Sequence, residues 1–276
     1  MSNLVLRSLV GLIFSFVVVG SAFAGLLPFT LLFGFFAAKG FQEFVRLVNP
    51  QMKRFQRRVG LGLAIVLYLT AASTMVYGTD WRWMLVVPVL WLVFMSVEMM
   101  KVSASFILDT STILMGFIYT VVPFSLLVFL GKVNGEFDAR LPFGFFLILW
   151  ANDTGAYVVG KLLGKHKLLE AVSPKKTWEG LFGGMLAAIL SGYFLYSLMP
   201  NSLTRYEWIA IASIVAVFAN IGDLIESQIK RIKGVKDSGK LLPGHGGVLD
   251  RFDGLLIAMP RSEEHTSELQ SRQYLV

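Results

Sequence analysis

Residues 8–38 read SLVGLIFSFVVVGSAFAGLLPFTLLFGFFAA, without one charged side chain. A helix needs about 20 mostly apolar residues to cross the roughly 30 Å hydrocarbon layer of a bilayer. This run is long enough for two helices and is broken at Gly25-Leu-Leu-Pro28, so a helical hairpin is expected between Arg7 and Val45. Working outward, further apolar blocks occupy 59–77, 84–100, 113–130, 141–160, 180–199 and 207–227. The expected fold is an all-α, polytopic transmembrane helical bundle of eight spans, with a truncated ninth starting after Asp253. One transmembrane domain covers 1–260, an N-terminal half over 1–140 and a C-terminal half over 141–260. After Met259-Pro260 the chain turns abruptly polar, beginning Arg261-Ser-Glu-Glu-His-Thr. Residues 261–276 read as a non-native tail, which removes His265 from the ligand candidates.

Composition agrees with a chain whose main solvent is lipid. Of 276 residues 55% are hydrophobic and 16% charged, against about 25% charged in a soluble domain. Cys is absent, which excludes thiolate metal sites, Cys nucleophiles and a disulfide scaffold. The net charge of +7 sits between the apolar blocks, the pattern of loops beside anionic lipid and not of a nucleic-acid-binding stripe. No nucleic-acid partner is expected. With the N-terminus inside, the cytoplasmic loops collect Arg46, Lys53, Arg54, Arg57 and Arg58, then Lys161 to Lys176, then Lys230 to Arg251. The outer loops keep Arg82, Lys132, Arg140 and Arg205. Merging the first two spans would put the basic 53–58 loop outside, so the positive-inside bias selects the hairpin. Trp81, Trp83 and Trp208 fall where interfacial aromatics belong.

Two aspartates stand where a membrane helix should exclude them, since insertion costs about 2.5–3.5 kcal/mol for Asp at a helix centre. Asp153 lies in Asn152-Asp-Thr-Gly-Ala-Tyr157 and Asp223 in Asn220-Ile-Gly-Asp-Leu-Ile-Glu-Ser227. Both should face protein or a wet cavity, or pair with a Lys reaching back from a helix end. From Asp223 the helical spacing puts Ser227 and Lys230 on the same stripe. A carboxylate, a hydroxyl and an ammonium then share a face, an arrangement a solvated helix end also produces.

The following segment is Lys236-Asp-Ser-Gly-Lys-Leu-Leu-Pro-Gly-His-Gly-Gly-Val-Leu-Asp-Arg-Phe-Asp253. Its glycines permit left-handed turns and close backbone approach to an anion, with Lys236, Lys240, His245 and Arg251 as donors. No helix is expected before Gly247. Asp250 and Asp253 stand at i, i+3 on the next helix, where like charges repel unless a cation separates them. Oxygen-only donors favour Mg²⁺. The second basic segment, Gly160 to Gly180, carries five Lys. There Thr177 suits the cap of the next helix, and Lys175 and Lys176 either bind phosphate or only hold the loop inside. His166 reads as a hydrogen-bonding residue and not a ligand.

The segment from Ser227 to Asp253, together with Asn152-Asp-Thr-Gly-Ala-Tyr157 and Ser173-Pro-Lys-Lys-Thr-Trp-Glu-Gly180, closely resembles the phosphatidate cytidylyltransferase (CDP-diglyceride synthase) family. The resemblance implies Mg²⁺-dependent transfer of CMP from CTP to phosphatidic acid, giving CDP-diacylglycerol and pyrophosphate. It also implies K⁺ as a second cation, a homodimer, and a bacterial inner membrane with the site on the cytoplasmic face. Carried over by position, Asp223, Asp250 and Asp253 match the metal-site acids, and Asp223, Ser227 and Lys230 the catalytic group. Arg231, Lys236, Lys240, His245, Lys175 and Lys176 are the expected phosphate binders; Asp153 and Asp237 lie in matching motifs. Two other functions use similar residues: an ion-coupled transporter relaying through Asp153 and Asp223, and a CTP-dependent lipid or polyprenol kinase. A transporter needs polar residues continuing to the outer face, whereas the acids within these spans crowd the inner half.

Overall fold

Gly25, at a φ of 116° that favours glycine, separates α1 (Asn3–Phe23) from α2 (Leu26–Val48), so the expected hairpin forms at the expected break. The computed structural model describes residues 3–273 apart from 77, 134, 135, 201, 242, 243 and 245. It divides into two units, Met1–Phe129 with Val235–Arg251, and Leu130–Gly234 with Phe252–Val276. The glycine-rich segment thus belongs with the N-terminal helices.

In the first unit α2 is followed by α3 (Arg54–Val76), a 3-10 turn at Trp81–Leu85, α4 (Val86–Met99) and α5 (Phe106–Gly116). A π-helical turn, Phe117–Val121, runs from α5 into α6 (Val122–Leu130) without a break. The buried face of α2 is a ladder of Phe29, Phe33, Phe36, Phe41 and Phe44 at helical spacing. Phe33 and Phe36 meet Phe124, and Phe41 stacks on Phe117 with ring centroids 5.5 Å apart. Gly116 makes room for that stack, since a Cβ there would lie 2.7 Å from the Phe41 ring.

In the second unit a two-residue hairpin, β1 (Lys132–Val133) and β2 (Glu136–Phe137), precedes α7 (Arg140–Leu163). A second antiparallel hairpin, β3 (Lys167–Leu169) and β4 (Ser173–Thr177), leads into α8 (Trp178–Leu198) and α9 (Arg205–Ile232). The buried face of α8 is Gly180, Gly184, Ala188 and Gly192, four small residues one turn apart. Membrane helices associate by close packing where backbones can approach, and this stripe lets α8 touch both neighbours. A Cβ at Gly184 would lie 2.7 Å from the Asn152 carbonyl oxygen of α7, and one at Gly192 2.7 Å from that of Trp208 in α9. Trp208 is buried, seated over Gly144, so it is no interfacial residue as its sequence position suggested; the gap left by a missing side chain on α7 takes the ring. Trp81 and Trp83 stay more than half exposed, as a belt residue should.

Helix α10 (Leu249–Gln273) begins just after Gly247, as expected. Its backbone stays helical through the polar stretch set aside from the fold, with Pro260 inside it. Glu, Gln and Arg form helices well, so a change from apolar to polar side chains does not end the helix. Among the described residues, Trp81–Met99, Phe106–Leu130, Trp178–Leu198 and Arg205–Ile232 are long and apolar enough to cross a membrane. Exposed Leu12, Phe16, Leu31, Leu69, Phe182 and Leu186 present apolar surface outward, as lipid-facing helices do. The architecture is that of an all-α membrane protein carrying two small hairpins.

Candidate active site

The second unit contains a cavity of about 440 Å³ between the C-terminal half of α7, the β3–β4 hairpin, the start of α8 and the C-terminal half of α9. Its size lies within the roughly 300–1,000 Å³ of pockets that accept small organic ligands. Asp153, Tyr157, Lys161, Lys175, Lys176, Asn220 and Asp223 supply its polar wall, and Gly160 and Gly180, packed against each other, also line it.

Three local features build that wall. Thr177 caps α8, its hydroxyl accepting from the Gly180 N–H at 3.1 Å, and so fixes the junction from which Lys175 and Lys176 project. Thr177→Ala should lower stability by about 1 kcal/mol, read as a reduced Tm in detergent. Glu179 accepts hydrogen bonds from the Lys165 and His166 backbone N–H groups and lies 2.6 Å from His166 Nδ1, so His166 is a hydrogen-bonding residue as expected. Asn220 donates to Asn152 Oδ1 at 3.2 Å and to the Ala216 carbonyl at 2.7 Å, a buried amide pair that ties α9 to α7 beneath the cavity.

Asp223 is the junction of the polar wall. Its Oδ2 lies 2.5 Å from Lys176 Nζ, and its Oδ1 accepts from Ser227 Oγ at 3.2 Å. The carboxylate therefore does pair with a lysine, but both partners line the cavity and neither is sealed off, with 24% of Lys176 and 36% of Asp223 exposed. Asp253, on α10, is within electrostatic reach of Asp223, Glu226 and Asp153. Asn152 Nδ2 donates to Asp153 at 3.3 Å.

Asp223 and Ser227 meet, while Lys230 turns to Glu226, 2.7 Å away and almost fully buried. A shared helical stripe gives proximity and no choice of partner, and the Glu-to-Lys i, i+4 pairing is itself a favoured one. Glu226 was not picked out from the sequence, although that spacing exposes it. Arg231 donates from Nε to the Val172 carbonyl at 3.3 Å.

In the first unit the glycine-rich segment is organised by two carboxylates. Asp250 Oδ2 accepts from Ser238 N, Ser238 Oγ and Gly247 N, each at 2.8 Å. Glu43, which the sequence reading passed over, accepts from the Leu249 N–H at 3.1 Å and from Ser238 Oγ at 3.4 Å. Its place as the one acid of α2, on the last turns between Lys39 and Arg46, is the signal that would have found it. Gly239 and Gly247 flank this carboxylate so closely that a Cβ on either would collide with it, and Gly244 and Gly246 take the positive φ values of 75° and 83° that the turn reading required. Gly247→Ala should destabilise the chain by about 1–3 kcal/mol through overpacking. Adding Glu43→Asp, which retracts the carboxylate by one methylene, should restore part of the lost Tm. Lys236 and Lys240 are exposed on this segment, and His245 lies outside the described residues.

A family model described as the cytidylyltransferase family matches residues 5–263. A phosphatidate cytidylyltransferase of Staphylococcus epidermidis is 47% identical over 115 residues, 42% of this chain and 44% of the relative. One of Staphylococcus haemolyticus is 44% identical over 115 residues, with the same two shares. One of Staphylococcus saprophyticus is 32% identical over 239 residues, 85% of this chain and 87% of the relative. In the first two alignments the chain spans less than half the length of the curated relatives it matches.

Proposed function

We propose, from the premise that this chain belongs to the cytidylyltransferase family, that it transfers CMP from CTP to phosphatidate, giving CDP-diacylglycerol and pyrophosphate. The observation that carries the reading is the α7–α9 cavity, in which Asp223 faces Lys176 beside Lys161 and Lys175. A phosphate oxygen of phosphatidate attacks the α-phosphorus of CTP in line, and the bond to the departing pyrophosphate breaks. Phosphatidate arrives ionised, so the protein needs no strong base and contributes positioning and charge neutralisation. Lys161, Lys175 and Lys176 hold the nucleotide phosphates. Thr177 and the Glu179 contacts fix the hairpin that carries two of these lysines. Ser227 orients the Asp223 carboxylate.

The donor chemistry fits Mg²⁺. Asp223 and Asp253 lie within each other's field, and the donors are oxygens only. Mg²⁺ takes one or two carboxylates plus substrate phosphates and retains waters. It thus requires no all-protein cage, and among the described residues no group of three or more His, Asp or Glu is gathered to form one. Asp223 and Asp253 are the proposed ligands; the bound ion supplies neutralisation of the CTP phosphate charge. A second, monovalent cation such as K⁺ and a homodimer rest on the family resemblance alone. The same reading makes α1, α2, α3, the 81–99 and 106–130 segments, α7, α8 and α9 eight crossings, α10 entering the membrane as the ninth. The basic loops then face the cytoplasm of a bacterial inner membrane, which the Lys and Arg distribution supports.

Detergent-solubilised protein should release pyrophosphate only when CTP and phosphatidate are both present with Mg²⁺. Release that ignores phosphatidate, or no release, contradicts the proposal.

A further inference from the structure

The turn between α2 and α3 carries a second, smaller cavity of about 160 Å³, lined by Phe41, Gln42, Val45, Arg46, Arg57, Arg58 and Leu61. Three guanidinium groups share this space with an apolar wall, and among the described residues no carboxylate lines it. Among the described residues none of the three forms an ion pair. Arg57 reaches the Pro50 carbonyl through Nη2 and so braces the turn. Its Nε is buried and meets no hydrogen-bond acceptor among the described residues. A buried donor left without an acceptor costs about 1–3 kcal/mol, and like charges gathered at one point repel. Both costs vanish when an anion with several acceptor oxygens enters.

We propose that the α2–α3 turn holds a phosphate-bearing anion between Arg46, Arg57 and Arg58. Guanidinium groups match phosphate with paired, charge-assisted hydrogen bonds. The cavity is smaller than the roughly 300 Å³ at which pockets for drug-sized ligands begin, so it suits one phosphate group and not a nucleotide. Phe41, Val45 and Leu61 supply a greasy side beside the guanidiniums, the surroundings of a lipid phosphate at the membrane boundary. An anionic lipid headgroup and free inorganic phosphate share this chemistry. The site lies within the first unit and uses no residue assigned to CMP transfer.

The test uses the full chain, delipidated in neutral detergent and titrated with phosphatidylglycerol, with bound lipid counted by native mass spectrometry. Arg46 and Arg58 are exposed, so Arg46→Gln with Arg58→Gln leaves the Arg57 brace intact. Each basic residue near an anionic lipid surface is worth about 1 kcal/mol, so the double variant should hold the lipid about thirtyfold more weakly. Arg57→Lys, which keeps the charge and removes the buried Nε donor, should weaken it as well. Lipid binding that survives millimolar inorganic phosphate assigns the site to a headgroup. Competition by phosphate, with equal phosphate binding in lipid-free protein, assigns it to the free anion. Equal lipid and phosphate binding by wild type and both variants overturns the proposal. Because the readout is binding, it stands apart from loss of CMP transfer.

Discussion

Asp223→Asn is expected to lower phosphatidate-dependent pyrophosphate release by about 10²–10³-fold, the loss typical when one pre-positioned electrostatic group is removed from a reacting centre. The substitution keeps the side chain's shape, and Asn Oδ1 can still accept the Ser227 hydroxyl. What disappears is the negative charge facing Lys176 across the cavity. Both partners of that ion pair are partly exposed, and such pairs contribute only about 0–1 kcal/mol to stability. Fold and activity should therefore separate: unchanged helix content and elution in detergent, with turnover nearly gone. Near-normal turnover would remove Asp223 from the reacting centre.

Gly184→Leu should leave little folded protein. The position lies midway along the small-residue face of α8, and even a Cβ there would stand 2.7 Å from the Asn152 carbonyl oxygen and 3.0 Å from the Ala156 Cβ. Neither neighbour can retreat easily, since Asn152 is buried and bonded to Asn220. One surplus methylene in a packed interior costs about 1–3 kcal/mol, and leucine adds a whole branched side chain. In a membrane no hydrophobic drive compensates for helices held apart. The expected result is aggregation on size-exclusion chromatography, or a Tm too low to measure. Leu186→Ala, on the exposed face two residues away, should stay within about 0.5 kcal/mol of wild type. Equal behaviour of the two variants would mean that the stripe does not hold α7 and α8 together.

These two positions differ in how far the chain's letters disclose them. Asp223 stands out because a charge in an apolar block needs a reason, and the same logic reaches Asp153. The hairpin break at Gly25 and the start of α10 were legible for a related reason: glycine opens backbone conformations closed to other residues and proline fixes its own, so both mark helix boundaries locally. Contacts between distant positions were not legible. Nothing in the spacing around Trp208 discloses that Gly144, on another helix, opens a slot for its ring. The stripe from Asp223 to Lys230 gave a face, but the choice of Glu226 by Lys230 depends on which carboxylate is buried. The β3–β4 hairpin has no alternating apolar pattern to announce it; it rests on cross-strand pairing of Lys167 with Thr177 and Leu169 with Ser173, and on the Thr177 cap. Glu43 carried a visible signal, the one acid of α2, while its partners in the glycine-rich segment lie about 200 residues away.

The position of a radioactive label tests CMP transfer most directly. Purified protein with phosphatidate, Mg²⁺ and CTP labelled at the α-phosphorus should yield labelled lipid, and CTP labelled at the γ-phosphorus should yield none. Label entering lipid from the γ position and not from the α position would identify a phosphoryl-transferring kinase, and lipid unlabelled by either nucleotide would leave the protein without the chemistry assigned to it.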